Sequence, residues 1–196
     1  GMAVCVDGKE IRRKPAAKNR RRHVYIALNK PVGITCTTDT ADVSNIIDFI
    51  DHQERIFPIG RLDKDSEGLI LLTSNGDIVN RILRAENNHE KEYLVGVNKP
   101  VTEEFLRTMA RGVHIHRQLT KPCKVSKLAK YGFRITLTQG LNRQIRLMSE
   151  ALGYKVVQLR RVRIINVKLG TLKPGAWRNL SDAELAEFTA YKQRVD

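Results

Sequence analysis

From residue 23 onward the apolar positions switch repeatedly between strand-like and helix-like spacing. VYIALNK, residues 24–30, carries β-branched Val24 and Ile26 and predicts a strand closed by the turn signals Pro31 and Gly33. Residues 44–50 predict a short helix. The unbroken apolar run GLILLT, residues 68–73, predicts a strand buried on both faces, ended by Asn75 and Gly76. Ile78, Ile82 and Leu83 fall at helical spacing over residues 77–84, and residues 92–97 return to strand alternation. Thr102 is placed as an N-cap ahead of Glu103 and Glu104, for a helix that runs to Arg111 and stops at Gly112. Residues 133–138 alternate as a strand. Gly140 and Asn142 then lead into a helix with Ile145, Met148 and Leu152 on one face, Arg143 and Arg146 together on another, and Gly153 as its stop. Strands around Val156 and Ile164 follow, and Ser181 with Glu184 forms the capping-box signature of a last helix.

This order, without an internal repeat or low-complexity tract, predicts an α+β fold with a single catalytic-size domain over residues 23–196. Residues 1–22 read as a polar, basic linker that carries a short strand-and-turn phrase, VDGKEI. Gly1 ahead of Met2 reads as an expression scar, with earlier residues of the natural protein expected to have been cut away. No window approaches the ~18 consecutive apolar residues of a spanning helix, and no signal peptide is recognisable. Cys5, Cys36 and Cys123 are odd in number and form no Cys-x-x-Cys pair, so reduced thiols in a cytoplasmic protein are expected. A monomer is expected.

Charge sharpens the picture. Thirty-five Lys and Arg against 21 Asp and Glu give a net charge of +14, and residues 134–178 hold ten basic residues against the single acid Glu150. A concentrated basic face points to a polyanionic partner, although a solvated surface and a membrane surface share that signature.

The phrase richest in chemistry is FPIGRLDKDSEGLILLTSNGD, where Arg61, Asp63, Asp65 and Glu67 sit on a glycine-bounded loop that feeds a buried strand. Three readings compete. A calcium loop fits the opening Asp-x-Asp-x-acidic-Gly but fails where a bidentate Glu is needed, because that position is Ser74. A solvated charged turn is the plain alternative. The third is a catalytic carboxylate at Asp63 steered by Arg61, two residues away on the same side of an extended chain. Periodicity does not choose between the last two.

GRLDKDSEGLILLTSNGD resembles the signature of the RsuA branch of pseudouridine synthases, and the likeness recurs in YIALNKPVGITCTTD, HEKEYLV and LTQGLNRQIRLMSEALGYKVVQLRRVRI. Within that branch the pattern is most similar to the RluF type, which modifies large-subunit ribosomal RNA. The resemblance implies a long mixed or antiparallel sheet flanked by helices, with a basic cleft across its middle and Asp63 on the floor. It further implies that Asp63 is the essential carboxylate, Arg61 holds the target nucleotide out of its helix, Tyr93 stacks on the flipped base, and Arg146 pairs with the aspartate, with Ile145 or Leu159 packed nearby. Lys30, Arg143, Arg160, Arg161 and Arg163 are the expected RNA contacts. Residues 1–22 would be the remnant of an N-terminal S4-like RNA-binding domain.

The implied reaction breaks the bond between ribose and uracil nitrogen, turns the base and rejoins it through carbon. No redox change occurs, so no cofactor is required and none is expected. A carboxylate serves either by covalent attack or by taking a proton and stabilising positive sugar character, and in both roles it must be ionised, which a neighbouring arginine favours. The expected partner is large-subunit ribosomal RNA, with transfer RNA as a second substrate. The plainer readings are a core position for Tyr93, a solvated edge for Arg160, Arg161 and Arg163, a strand cap for Lys30 and a packing role for Trp177. His114 and His116 lie two apart but lack a third metal ligand. Rival functions are a non-catalytic RNA-binding or ribosome-assembly factor, and a carbohydrate hydrolase using Asp63 with Asp65.

Overall fold

A computed structural model describes residues 22–84 and 89–193, together with the backbone of residues 5–6 and 9–10. β1 (Cys5–Val6) pairs antiparallel with β2 (Lys9–Glu10), as the strand-and-turn phrase predicts. The rest of the linker expected over residues 1–22 lies outside the described residues, apart from Arg22.

β3 (Tyr25–Lys30) is followed by α1 (Ile46–Ile50), β4 (Phe57–Ile59), β5 (Glu67–Thr73) and α2 (Gly76–Arg84). β6 (Lys91–Val97) and α3 (Glu103–Arg111) lead to a small hairpin of β7 (His114–Ile115) and β8 (Gln118–Leu119). Next come β9 (Lys124–Ala129), β10 (Gly132–Leu137), α4 (Gln144–Ala151) and β11 (Val156–Ile164). β12 (Val167–Lys168), β13 (Trp177–Asn179) and α5 (Asp182–Gln193) close the chain. Among the described residues nine strands form one mixed sheet in the order β13-β3-β5-β11-β6-β10-β9, with β4 beside β5 and β12 beside β11. The α+β architecture expected from the sequence is the one observed.

The sheet is built around β5. β3 pairs with the whole of one edge, from Tyr25 opposite Thr73 to Lys30 opposite Gly68. The other edge is divided: β4 takes Leu71 to Thr73, while β11 runs parallel to the first residues, with Arg160 opposite Glu67 and Arg161 opposite Gly68. The loop over residues 60–66 therefore leaves the sheet in the fork between β4 and β11.

Burial explains the patterns. Ile26, Leu28, Ile70 and Leu72 face α1 on one side of the sheet, whereas Ala27, Leu69 and Leu71 meet Ile82 of α2 and Phe188 of α5 on the other. β5 is thus covered twice, which is why it is apolar without a break from Gly68 to Leu72. A third cluster lies beneath β6 and β10, where Val95, Phe133 and Ile135 pack on Phe105 and Met109 of α3 and Met148 of α4. Tyr93 packs against this cluster and the α1 cluster alike, so it stands at their seam.

Local signals set the helix ends. Thr102 Oγ1 accepts from Phe105 N at 3.1 Å and Gly112 ends α3 at φ 112°, both as expected. The strands expected separately around Val156 and Ile164 are one continuous strand of nine residues, whose register shifts between Val156 and Gln158 and again between Arg161 and Arg163. Those irregularities break the alternation that a single strand would show in sequence.

The capping box at α5 is formed reciprocally: Glu184 N donates to Ser181 Oγ at 3.1 Å and Ser181 N to Glu184 Oε1 at 3.0 Å. Arg178 of β13 donates to both oxygens of Glu184, at 2.6 and 2.9 Å, tying α5 to the sheet edge. Those charge-assisted bonds hold the Glu184 carboxyl at about 2, down from 4.5. A carboxyl depressed on folding stabilises fully above its unfolded value and loses that contribution as protons bind. Thermal midpoints of wild type and Glu184→Gln should therefore differ above pH 4.5 and converge as the pH falls towards 2. A difference that persists unchanged at low pH would count against this clamp.

Candidate active site

Residues 60–66 are tied down through their backbone. Ser66 N donates to Asp63 O at 3.0 Å, closing a turn, and Gly33 N donates to Lys64 O at 2.7 Å, joining the Pro31–Gly33 turn to the loop. Lys30, fully buried at the end of β3, donates Nζ to Pro31 O (2.9 Å), Ile34 O (2.8 Å) and Lys64 O (3.4 Å). Burial pushes the Lys30 ammonium below its ordinary value, against the pull of Cys36, Asp65 and Asp63. Arg161, only 3% exposed, donates Nε to Leu69 O at 2.8 Å and Nη1 to Arg61 O at 3.2 Å. Two buried cations thus hold the loop by its carbonyls. This corrects the expectation that Lys30 and Arg161 touch RNA: Lys30 is fully buried, and Arg161, at the cleft wall, spends its donors on Leu69 O and Arg61 O.

Above the loop opens a cleft of about 510 Å³, lined by Arg61, Asp63, Tyr93, Asn142, Arg143 and Leu159 among others. That volume falls within the roughly 300–1,000 Å³ range of small-molecule sites. The cleft brings Asp63, Arg61 and Tyr93 together from β5's approach loop and β6. Arg61 is exposed, and its guanidinium makes no hydrogen bond or ion pair among the described residues. Ile145, expected near the aspartate, also lines the cleft.

Two arginines from the start of α4 complete the site, with their roles differently divided from expectation. Arg143 precedes the helix in the left-handed conformation (φ 52°, ψ 33°). From there its guanidinium forks onto Asp65, at 3.0 Å to Oδ1 and 2.9 Å to Oδ2, and lies 3.5 Å from Asp63 Oδ2. Arg146, inside the first helical turn, instead donates Nη2 to Asp65 O and to Ser66 Oγ, both at 3.0 Å, and comes within 3.6 Å of Asp65 Oδ1. The arginine beside Asp63 is therefore Arg143, and Arg146 braces the loop. The helix begins one residue after Arg143, and that offset aims the two side chains at different parts of the loop. The bidentate bond from Arg143 holds the Asp65 carboxyl below its ordinary value, and Asp65 raises Arg143 in return.

Arg160 and Arg163 are partly exposed, but acids on β5, on β6 and just before β6 meet them. Arg160 Nη2 lies 3.2 Å from Glu67 Oε1, and Arg163 lies 3.1 Å from Glu90 and 3.8 Å from Glu92. The absence of acids beside them in sequence, which favoured RNA contact, is corrected by cross-strand pairing. Glu67 also accepts from Gln158 at 2.6 Å, so it turns to Arg160 and Gln158 while Asp63 and Asp65 share Arg143, and among the described residues no group of acids is placed to hold a metal ion. Nor do the two histidines form a pair, since His116 Nε2 donates to Asn142 O at 2.9 Å.

Gln144 is a participant that residue patterns did not single out. It is buried, accepts Leu141 N at 3.2 Å and donates to Gln139 Oε1 at 3.3 Å, which ties the loop before α4 to the helix. Its only signal is its place in the RQIR phrase.

Residues 24–151 match the family described as RNA pseudouridylate synthase, and the chain belongs to that family. It is 61% identical over 188 residues to the dual-specificity RNA pseudouridine synthase RluF of Escherichia coli K12, covering 96% of this chain and 63% of that protein. To the ribosomal small subunit pseudouridine synthase A of Salmonella typhimurium LT2 it is 34% identical over 189 residues, covering 94% and 79%. A crystal structure of a pseudouridylate synthase superposes with a TM-score of 0.77 at 36% identity, covering 84% of this chain and 73% of the other. The chain thus spans a little under two thirds of the RluF relatives' length.

Proposed function

We propose that this chain is the catalytic unit of an RNA pseudouridine synthase, acting on a uridine in large-subunit ribosomal RNA with transfer RNA as a second substrate. The name dual-specificity borne by the 61%-identical relatives supports an RNA range of more than one kind. One observation carries the reading: Asp63 stands in a cleft with Tyr93 and Leu159, beside an arginine fork and the exposed Arg61.

The roles follow from chemistry. Arg61 enters the RNA helix and holds the target nucleotide out, at a cost of a few kcal/mol for unstacking. Tyr93 offers the flipped uracil an aromatic face, worth ~1–3 kcal/mol per stacked base. The Asp63 carboxylate then either bonds to C1′ or takes a sugar proton as the bond from C1′ to N1 breaks. The uracil turns and C5 bonds to C1′, displacing the carboxylate on the first route, while on the second Asp63 returns the proton to the sugar; the C5 proton leaves and N1 gains one, so atoms and charge balance without an added reagent. Arg143, 3.5 Å from Asp63 Oδ2, holds the carboxylate in place throughout.

Ribosomal and transfer RNA transcripts incubated with the protein, then mapped for pseudouridine by carbodiimide modification, test the proposal. The expected product is pseudouridine at a defined large-subunit position. RNA binding without product would favour a non-catalytic assembly factor, and product confined to small-subunit RNA would overturn the proposed target.

A further inference from the structure

The tip of the β7–β8 hairpin carries two consecutive residues, His116 (φ 47°) and Arg117 (φ 62°), in the left-handed region without a glycine. L residues adopt that region at a cost, and it persists only where surrounding structure over-determines it. Here the base of the hairpin is held firmly. Val113 and Ile115 are buried in the α3–α4 core, Val113 N donates to Thr120 Oγ1 at 2.9 Å, and Thr120 N donates to Val113 O at 3.0 Å.

What the strained tip achieves is a single long-range bond. His116 Nε2 carries a proton and donates it to Asn142 O at 2.9 Å. That carbonyl belongs to the peptide unit joining Asn142 to Arg143, and rotation of this plane is what sets φ of Arg143. Arg143 holds φ 52°, and as the residue before α4 it makes no capping bond with its own side chain. A second contact, from just past the hairpin, reaches the approach to this segment, from Lys121 N to Gln139 Oε1 at 3.1 Å. The imidazole thus fixes the peptide plane, the plane fixes the left-handed kink, and the kink delivers the guanidinium to Asp65 and Asp63.

We propose that His116 is a positioning residue for Arg143, and through it for the Asp63 carboxylate; the second step rests on the pseudouridine synthase reading above. His116→Gly removes the imidazole yet accepts the left-handed conformation without strain, so the fold should be kept. Its kcat on RNA should fall about tenfold, the effect of one lost hydrogen bond, with KM within about twofold of wild type. His116→Gln, which restores an N–H donor of similar reach, should recover most of the rate. In an Arg143→Ala background, His116→Gly should have no further effect, whereas a merely structural residue would cause an additive loss.

Guanidinium NMR of Arg143 reads the first step without any activity, with restrained N–H signals expected in wild type and averaged ones in His116→Gly. Should the wild type form no pseudouridine, the functional reading fails and this signal alone decides the positioning role. Identical Arg143 signals in wild type and His116→Gly, or an additive loss in the Arg143→Ala background, would overturn the proposal.

Discussion

Asp63→Asn should lower pseudouridine formation by roughly 10⁴-fold, the upper end of what a positioned acid or base contributes, while RNA binding stays within about threefold of wild type. The asparagine has the same shape but neither attacks carbon nor takes a proton. The loop should not move, because what holds it bypasses this side chain. Lys30 and Gly33 bond Lys64 O, Arg161 bonds Arg61 O, and the Arg143 fork closes on Asp65. Loss of product is thereby separable from loss of structure. Thermal midpoints within a few degrees of each other, single-turnover product analysis and RNA titration would establish the pattern. A variant that kept the wild-type rate would remove Asp63 from the chemistry whatever the fold.

Parts of this site were legible in sequence because they rest on local or family-wide patterns. The apolar run of β5 and the capping of α3 by Thr102 and Gly112 are decided within a few residues of themselves, and the structure shows both. Asp63 and Tyr93 came from the resemblance, since a charged turn and a strand tyrosine carry no chemical label of their own. Strand β9 was missed because it is the sheet's last strand, with Val125 as its one inward position and polar residues elsewhere. The arginines went astray for a related reason. RRVR reads as a basic patch along the chain, yet pairing places Arg161 opposite Gly68, inside, and Arg160 opposite Glu67, neutralised. Spacing also put Arg143 and Arg146 on one helix face, but a helix that starts at Gln144 leaves Arg143 kinked and free to reach both aspartates. In each case a residue far away in sequence decides, and the pattern of one strand or one helix does not contain it.

Gly68→Ala should destabilise the protein by about 3 kcal/mol or more, from a change of one methyl group on the strand beneath the loop over residues 60–66. Gly68 has φ +107°, a conformation an alanine adopts only under strain. Its Cβ would also lie 2.7 Å from Arg161 N and closer still to Arg161 O. Both are backbone atoms. They cannot rotate aside, because Arg161 is paired with Gly68 on one edge of β11 and with Tyr93 on the other. Relief requires β11 to slide away from β5, which pulls the Arg161 guanidinium from Leu69 O and Arg61 O and slackens the loop that carries Asp63. Gly60→Ala separates the two contributions, since Gly60 has φ +80° but nothing within 4 Å of an added Cβ. It should show the backbone penalty alone, about 1 kcal/mol. Denaturant titration of both variants measures the difference, and equal losses would mean that the close approach of β5 to β11 is not what requires glycine there.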